Sequence, residues 1–150
     1  MFNKKTNFLK PGFTLIELLV VIAIIGILST LSVVALQSAR GKARDAKRIT
    51  DIRQIQTALE LYFNDQSEYP ASVTAGSSIA TGSNTYMYTV PDGPTPADGD
   101  CATSSYVYNQ VNSGADYYIE FCLGGNVADM PAGIKCAFSG GIIPTTTTCY

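Results

Sequence analysis

The sequence predicts an α+β fold: one long N-terminal α-helix, half membrane-spanning and half amphipathic, packed on a small antiparallel β-sheet head. Three observations carry that reading. From Phe13 to Leu36 the chain reads FTLIELLVVIAIIGILSTLSVVAL, 18 apolar residues in 24, with Glu17 its only charge. Apolar residues then recur every three or four positions as far as Phe63. Beyond Pro70 the chain turns to Ala, Ser, Thr, Gly and Pro, broken by short runs rich in Tyr, Val, Ile and Phe.

A helix of the first kind covers the ~30 Å hydrocarbon core of a bilayer. The rest of the chain is too small and polar to bury it as a core helix. A cleaved secretory signal fits poorly as well, since its apolar region is shorter, about 7–15 residues. The run also passes without a break into the amphipathic part, where Ala43, Ala46, Ile49, Ile52, Ile55, Leu59, Tyr62 and Phe63 form one stripe. Arg40, Lys42, Arg44, Asp45, Lys47, Arg48, Asp51 and Arg53 are placed mostly off that stripe. No Pro falls between Phe13 and Tyr69, and Asn64–Asp65 with Pro70 marks the end, so a single helix over 13–64 is expected. Its heptad pattern is too short for an independent coiled coil, so the stripe needs the C-terminal part as its cover.

In the head, 65–150, residues 71–105 read as a long loop with one short strand, Tyr86–Val90. Tyr106–Val111, a turn at Asn112-Ser113-Gly114, and Asp116–Leu123 read as a hairpin. Ile134–Phe138 is the next strand, and Ile142-Ile143 adds a short one. A core this small is often stapled covalently. Cys101, Cys122, Cys136 and Cys149 fit that role, for they include no C-x-x-C and all follow the apolar segment. A second hairpin centred near Asp129 would set Cys122 opposite Cys136 and leave Cys101 for Cys149. That pairing is preferred to Cys101–Cys122 with Cys136–Cys149, which stays open.

Composition excludes several functions. The 150 residues contain no His and no Trp, which removes Ser-His-Asp and Cys-His catalysis and His-based metal sites. No cofactor, metal site or catalytic set is expected, and Asp98 and Asp100, in a Gly/Pro-rich loop, read as solvated turn residues. The formal charge of −2 argues against a nucleic-acid binder. It averages three unlike parts: +3 over 1–12, +3 over 13–54 and −8 over 55–150, where Lys135 is the only cation.

The N-terminus, MFNKKTNFLKPG, is a short basic leader that stops at Gly12 immediately before the apolar run. The segment Lys10-Pro11-Gly12-Phe13-Thr14-Leu15-Ile16-Glu17 closely resembles the class III signal of type IV prepilins and pseudopilins. The likeness extends to ALELYFNDQSEYP (Ala58–Pro70), where that family's helix gives way to its variable head. The resemblance implies that residues 1–12 are a leader, cut by prepilin peptidase between Gly12 and Phe13 with N-methylation of Phe13. It implies that 13–36 spans the inner membrane, leader inside and head outside. It gives Glu17 the assembly role, pairing with the N-terminal amine of a neighbouring subunit in a homo-oligomeric helical filament built by pilus or secretion machinery. Val34 stands where many members carry a Pro, with Gly26 upstream of it.

The expected function is thus a structural subunit of a type IV pilus-like filament, at the inner membrane as a precursor and outside it when assembled. A pseudopilin of a type II secretion system is the alternative; major pseudopilins tend to have a C-terminal Trp and an Asp-lined calcium site, and the tail GGIIPTTTTCY has neither residue type. The rival from another class is a single-span membrane-anchored binding module with an uncut leader. Five cations between Arg40 and Arg48 outnumber the three leader lysines, against the positive-inside bias. They are expected either to face acidic surfaces of neighbouring heads or to form an ordinary solvated helix face.

Overall fold

The computed structural model describes residues 12–144 and Cys149. The leader, Gly12 apart, lies outside the described residues. Helix α1 runs from Leu15 to Gln66, followed by β1 (Ile79–Thr81), β2 (Asn84–Met87), β3 (Val107–Val111), β4 (Asp116–Leu123), β5 (Gly133–Phe138) and β6 (Gly141–Ile143). The chain divides into two compact units, one ending at Ser38 and the other beginning at Ala39.

In the first unit, the apolar side chains of α1 are exposed among the described residues. Leu15, Val21, Ile24, Leu31 and Val34 are all 45–81 % exposed. The segment is long and apolar enough to cross a membrane. Two of its hydroxyls are matched to such a medium: Thr30 Oγ1 donates to the Ile27 carbonyl and Ser32 Oγ to that of Leu28, both at 2.8 Å, so neither depends on water.

In the second unit, Ile49, Ile52, Ile55, Ala58 and Leu59 on α1 are buried together with Tyr117, Ile119, Phe121, Leu123 and Ala137 of the sheet. Strands β3-β4-β5-β6 form an antiparallel meander in that order. Strand β4 alternates strictly, with Tyr117, Ile119, Phe121 and Leu123 buried and their neighbours half-buried. Period-2 alternation with bulky residues on one face is what a sheet covered on one side requires. The β3–β4 connection winds through three left-handed residues, Asn112, Ser113 and Gly114. A Cβ on Gly114 would come within 3.2 Å of Glu68 Cβ, and its carbonyl accepts from Tyr69 N, so the turn is held against the segment that follows the helix. Tyr69 stacks on Phe63 and meets Tyr117 edge-on, each at 4.6 Å, which fixes the exit from α1.

Three sequence expectations need correction. The helix runs to Gln66, past Asn64, and ends on a left-handed Ser67 whose N–H returns to the Phe63 carbonyl. The 71–105 loop holds a two-stranded hairpin, because Ile79 is buried and Ile79–Thr81 pairs with Asn84–Met87. A three-residue strand is too short to show a hydrophobic period, and Val90, expected to end a strand, is buried outside one. The disulfides are Cys101–Cys122 and Cys136–Cys149. The β4–β5 register sets Cys122 opposite Ile134 and Cys136 opposite Glu120. A turn centred one residue before Asp129 moves the opposing pair by two, which puts Ile134 and not Cys136 across from Cys122.

Non-reducing peptide mapping should recover Cys101 linked to Cys122 and Cys136 linked to Cys149. Linked Cys122–Cys136 peptides would refute the register. Leu59→Ala should destabilise the head by about 2–5 kcal/mol in chemical denaturation. Leu19→Ala, at a position 54 % exposed, should leave that transition within about 0.5 kcal/mol of the parent.

Candidate functional site

The start of α1 is built by a reciprocal cap. Thr14 precedes the first helical turn, and Glu17 lies three residues on. The Glu17 Oε2 atom accepts from Thr14 N at 2.9 Å and from Thr14 Oγ1 at 2.6 Å, while Glu17 N donates to Thr14 Oγ1 at 3.3 Å. This is a capping box, and it satisfies N–H groups that the first turn cannot bond internally. Its T-x-x-E signature stands in the sequence at Thr14 and Glu17. Glu17 is therefore already engaged within its own chain. A Cβ placed on Gly12 would meet nothing within 4 Å among the described residues. Phe13 is 78 % exposed.

The second constellation joins the 39–51 stretch of α1 to two loops. Arg48, 1 % exposed at its side chain, donates to Asp45 Oδ1 at 2.5 Å and to Asp98 Oδ1 at 2.7 Å. Arg44 approaches the other oxygen of Asp98 with Nε at 3.0 Å and a terminal nitrogen at 2.7 Å. The Asp45 carboxylate also accepts from Gly124 N at 2.8 Å and Gly125 N at 2.9 Å. Beside them, Asp51 accepts from Lys47 at 3.1 Å and from the Tyr106 hydroxyl at 3.0 Å. Gly99, at φ +57°, lies so close to Gly124 that a Cβ would fall 1.8 Å from its carbonyl oxygen. The Asp98 loop is thus held by the arginines, by backbone contact at Gly124 and by the Cys101–Cys122 bridge.

This clasp overturns three sequence expectations. Ala43 and Ala46 are exposed, and Asp45, Arg48 and Asp51 are buried. Positions 45, 48, 52, 55 and 59 continue the buried stripe at the same three-and-four spacing, so polarity alone misplaced the residues. Asp98 is an ion-pair centre, whereas Asp100 is exposed as expected. Arg44, Lys47 and Arg48 are paired within the chain, which leaves Arg40 and Lys42 exposed at the head of the cluster. Burial pushes the Asp98 carboxyl up, but hydrogen bonds and charge from Arg44 and Arg48 outweigh it and hold it below the usual carboxylate range. Burial, reinforced by Asp51, drives the Tyr106 hydroxyl well above its ordinary value.

A folded value below the unfolded one means that Asp98 stabilises the head fully above about pH 4, and that this contribution is lost as pH falls through the folded value. Asp98→Asn should lower head stability at pH 7 by about 1–3 kcal/mol and flatten its acid limb in unfolding curves. An acid limb identical to the parent's would show that Asp98 carries no such linkage.

Comparison with known proteins bears on the first constellation. Residues 10–33 match the family model described as a prokaryotic N-terminal methylation motif. The chain is 37 % identical over 68 residues to the type II secretion system core protein G of Pectobacterium carotovorum, covering 45 % of this chain and 44 % of that one. It is 43 % identical over 63 residues to the protein of the same name from Vibrio cholerae, covering 42 % and 43 %. A fimbrial protein of Neisseria meningitidis serogroup B is 36 % identical over 77 residues, covering 51 % and 45 %. The chain spans less than half the length of each of these relatives in the matches. No solved structure matches it significantly.

Proposed function

We propose that the chain, whose N-terminal part carries the methylation motif and resembles type II secretion core protein G and a fimbrial protein, is the structural subunit of a type IV pilus-like filament, made as a membrane-inserted precursor and polymerised through its N-terminal helix. The observation that supports this most directly is the methylation motif, 10–33, lying on a helix whose apolar side chains are exposed in their own chain. Such a surface is stable only in lipid or against other subunits. No group of residues with a catalytic arrangement enters the reading.

In this reading prepilin peptidase hydrolyses the Gly12–Phe13 bond, where glycine lets the backbone come close to the peptidase's catalytic groups. The new amine of Phe13 is methylated. Glu17 then has two competing partners, Thr14 in its own chain and the N-terminal amine of a neighbour. An ionised carboxylate in hydrocarbon costs ~2.5–3.5 kcal/mol on insertion scales. The Thr14 cap lowers that cost before assembly, and the neighbouring amine neutralises the charge during it. Once the head is folded, Arg40 and Lys42 are the only cations of the 40–48 cluster without an ion-pair partner among the described residues.

A pseudopilin of a type II secretion system is the second reading, favoured by the relatives named core protein G. Both readings share processing and assembly, and both differ from a membrane-anchored binding module. N-terminal sequencing of membrane and sheared extracellular or periplasmic fractions tests them. Methylated Phe13 is expected in the assembled material, and an intact Met1 confined to membranes would favour the anchored module. Glu17→Ala should be cleaved and inserted normally yet yield no filaments, and wild-type filament yield from that variant would refute its assembly role.

A further inference from the structure

Arg40 and Lys42 are the first cations of α1 after the apolar run. Both are exposed, and neither has an ion-pair partner among the described residues. Asp45, three residues from Lys42, is buried and taken by Arg48, Gly124 and Gly125. In sequence they follow the apolar run closely, four and six residues beyond Leu36. At the helical rise this is about 6 and 9 Å, within reach of the headgroup layer that flanks a ~30 Å hydrocarbon core. The two residues are two apart, so they point about 200° away from each other around the helix axis. One flat protein surface meets only one of two opposed side chains. A medium that surrounds the helix meets both.

We infer that Arg40 and Lys42 form a cationic collar that binds the phosphate headgroups of anionic phospholipids around the helix while the subunit resides in the membrane. The inference rests on the membrane-spanning reading of 13–36. Each cation near an anionic surface contributes roughly 1 kcal/mol, or about fivefold in affinity. The part 55–150 carries −8 formally and is repelled by the same surface, so it opposes the preference that the two cations supply. The collar thereby holds the end of the apolar run at the interface and the acidic head away from it. Arg44, Lys47 and Arg48 take no part, because Asp98, Asp45 and Asp51 already neutralise them.

The test uses the full precursor and its Arg40→Gln/Lys42→Gln variant, reconstituted in phosphatidylcholine vesicles that contain a minority of phosphatidylglycerol. Spin-labelled phosphatidylglycerol and phosphatidylcholine report which lipid is immobilised at the protein, and the leader lysines contribute equally to both chains. The parent should prefer phosphatidylglycerol, the variant should lose about fivefold of that preference per cation removed, and raised salt should weaken the parent's preference. Circular dichroism and intact disulfides confirm that the variant is folded, as expected for two exposed positions. Unchanged selectivity in the variant overturns the inference, and if its filament yield falls as well, the two cations belong to a neighbouring subunit instead. Failure of the parent chain to float with vesicles would sink the membrane reading itself, an outcome distinct from flotation without lipid preference.

Discussion

Arg48 is the interaction on which the head depends. A guanidinium 1 % exposed is tolerated only if its charge is matched, and Asp45 matches it from the preceding helical turn and Asp98 from a loop about fifty residues on. The consequences spread from there. Asp45 is freed by that pairing to cap the Gly124 and Gly125 amides, which fixes the end of β4. Asp98 is drawn onto Arg44 as well, which brings its loop against Gly124 and places Cys101 beside Cys122. A hydrophobic replacement of similar volume would preserve burial but lose the loop's attachment, so the polar cluster specifies which loop packs where as much as it stabilises.

The first part of α1 obeys the opposite constraint. Its side chains offer almost no polar partners, so its backbone and hydroxyl groups must be satisfied inside the helix itself. Thr30 and Ser32 return to backbone carbonyls, and Glu17 closes the first turn with Thr14. One helix therefore serves two surroundings with two chemistries. Up to Ser38 it carries its apolar side chains outward; from Ala39 it is committed to its own sheet through charge at one end and aliphatic packing at the other.

Much of this was legible in the amino-acid sequence, for reasons that separate the readable from the hidden. Continuous apolarity over Phe13–Leu36 and alternation over Asp116–Leu123 are local signals, and the helix and the meander follow from them. The Gly12-Phe13 junction with Glu17 is equally local. The clasp was not legible, because it joins positions about fifty residues apart and because buried charge looks like surface charge until its partner is known. The disulfide pattern failed on a one-residue choice of turn centre between β4 and β5. The hairpin at Ile79–Met87 failed because a single buried Ile carries no period. Long-range pairing, more than composition, sets the limit.

The central claim is that the apolar face of 13–36 is covered by other copies of this chain. Site-specific photo-crosslinking measures that contact directly. A photoreactive side chain in place of Ile24 or Val33, which are 51 % and 54 % exposed in the single chain, should convert sheared filaments into a ladder of covalent dimers and higher multimers. Monomer alone after irradiation of the sheared fraction would contradict a helix-packed filament.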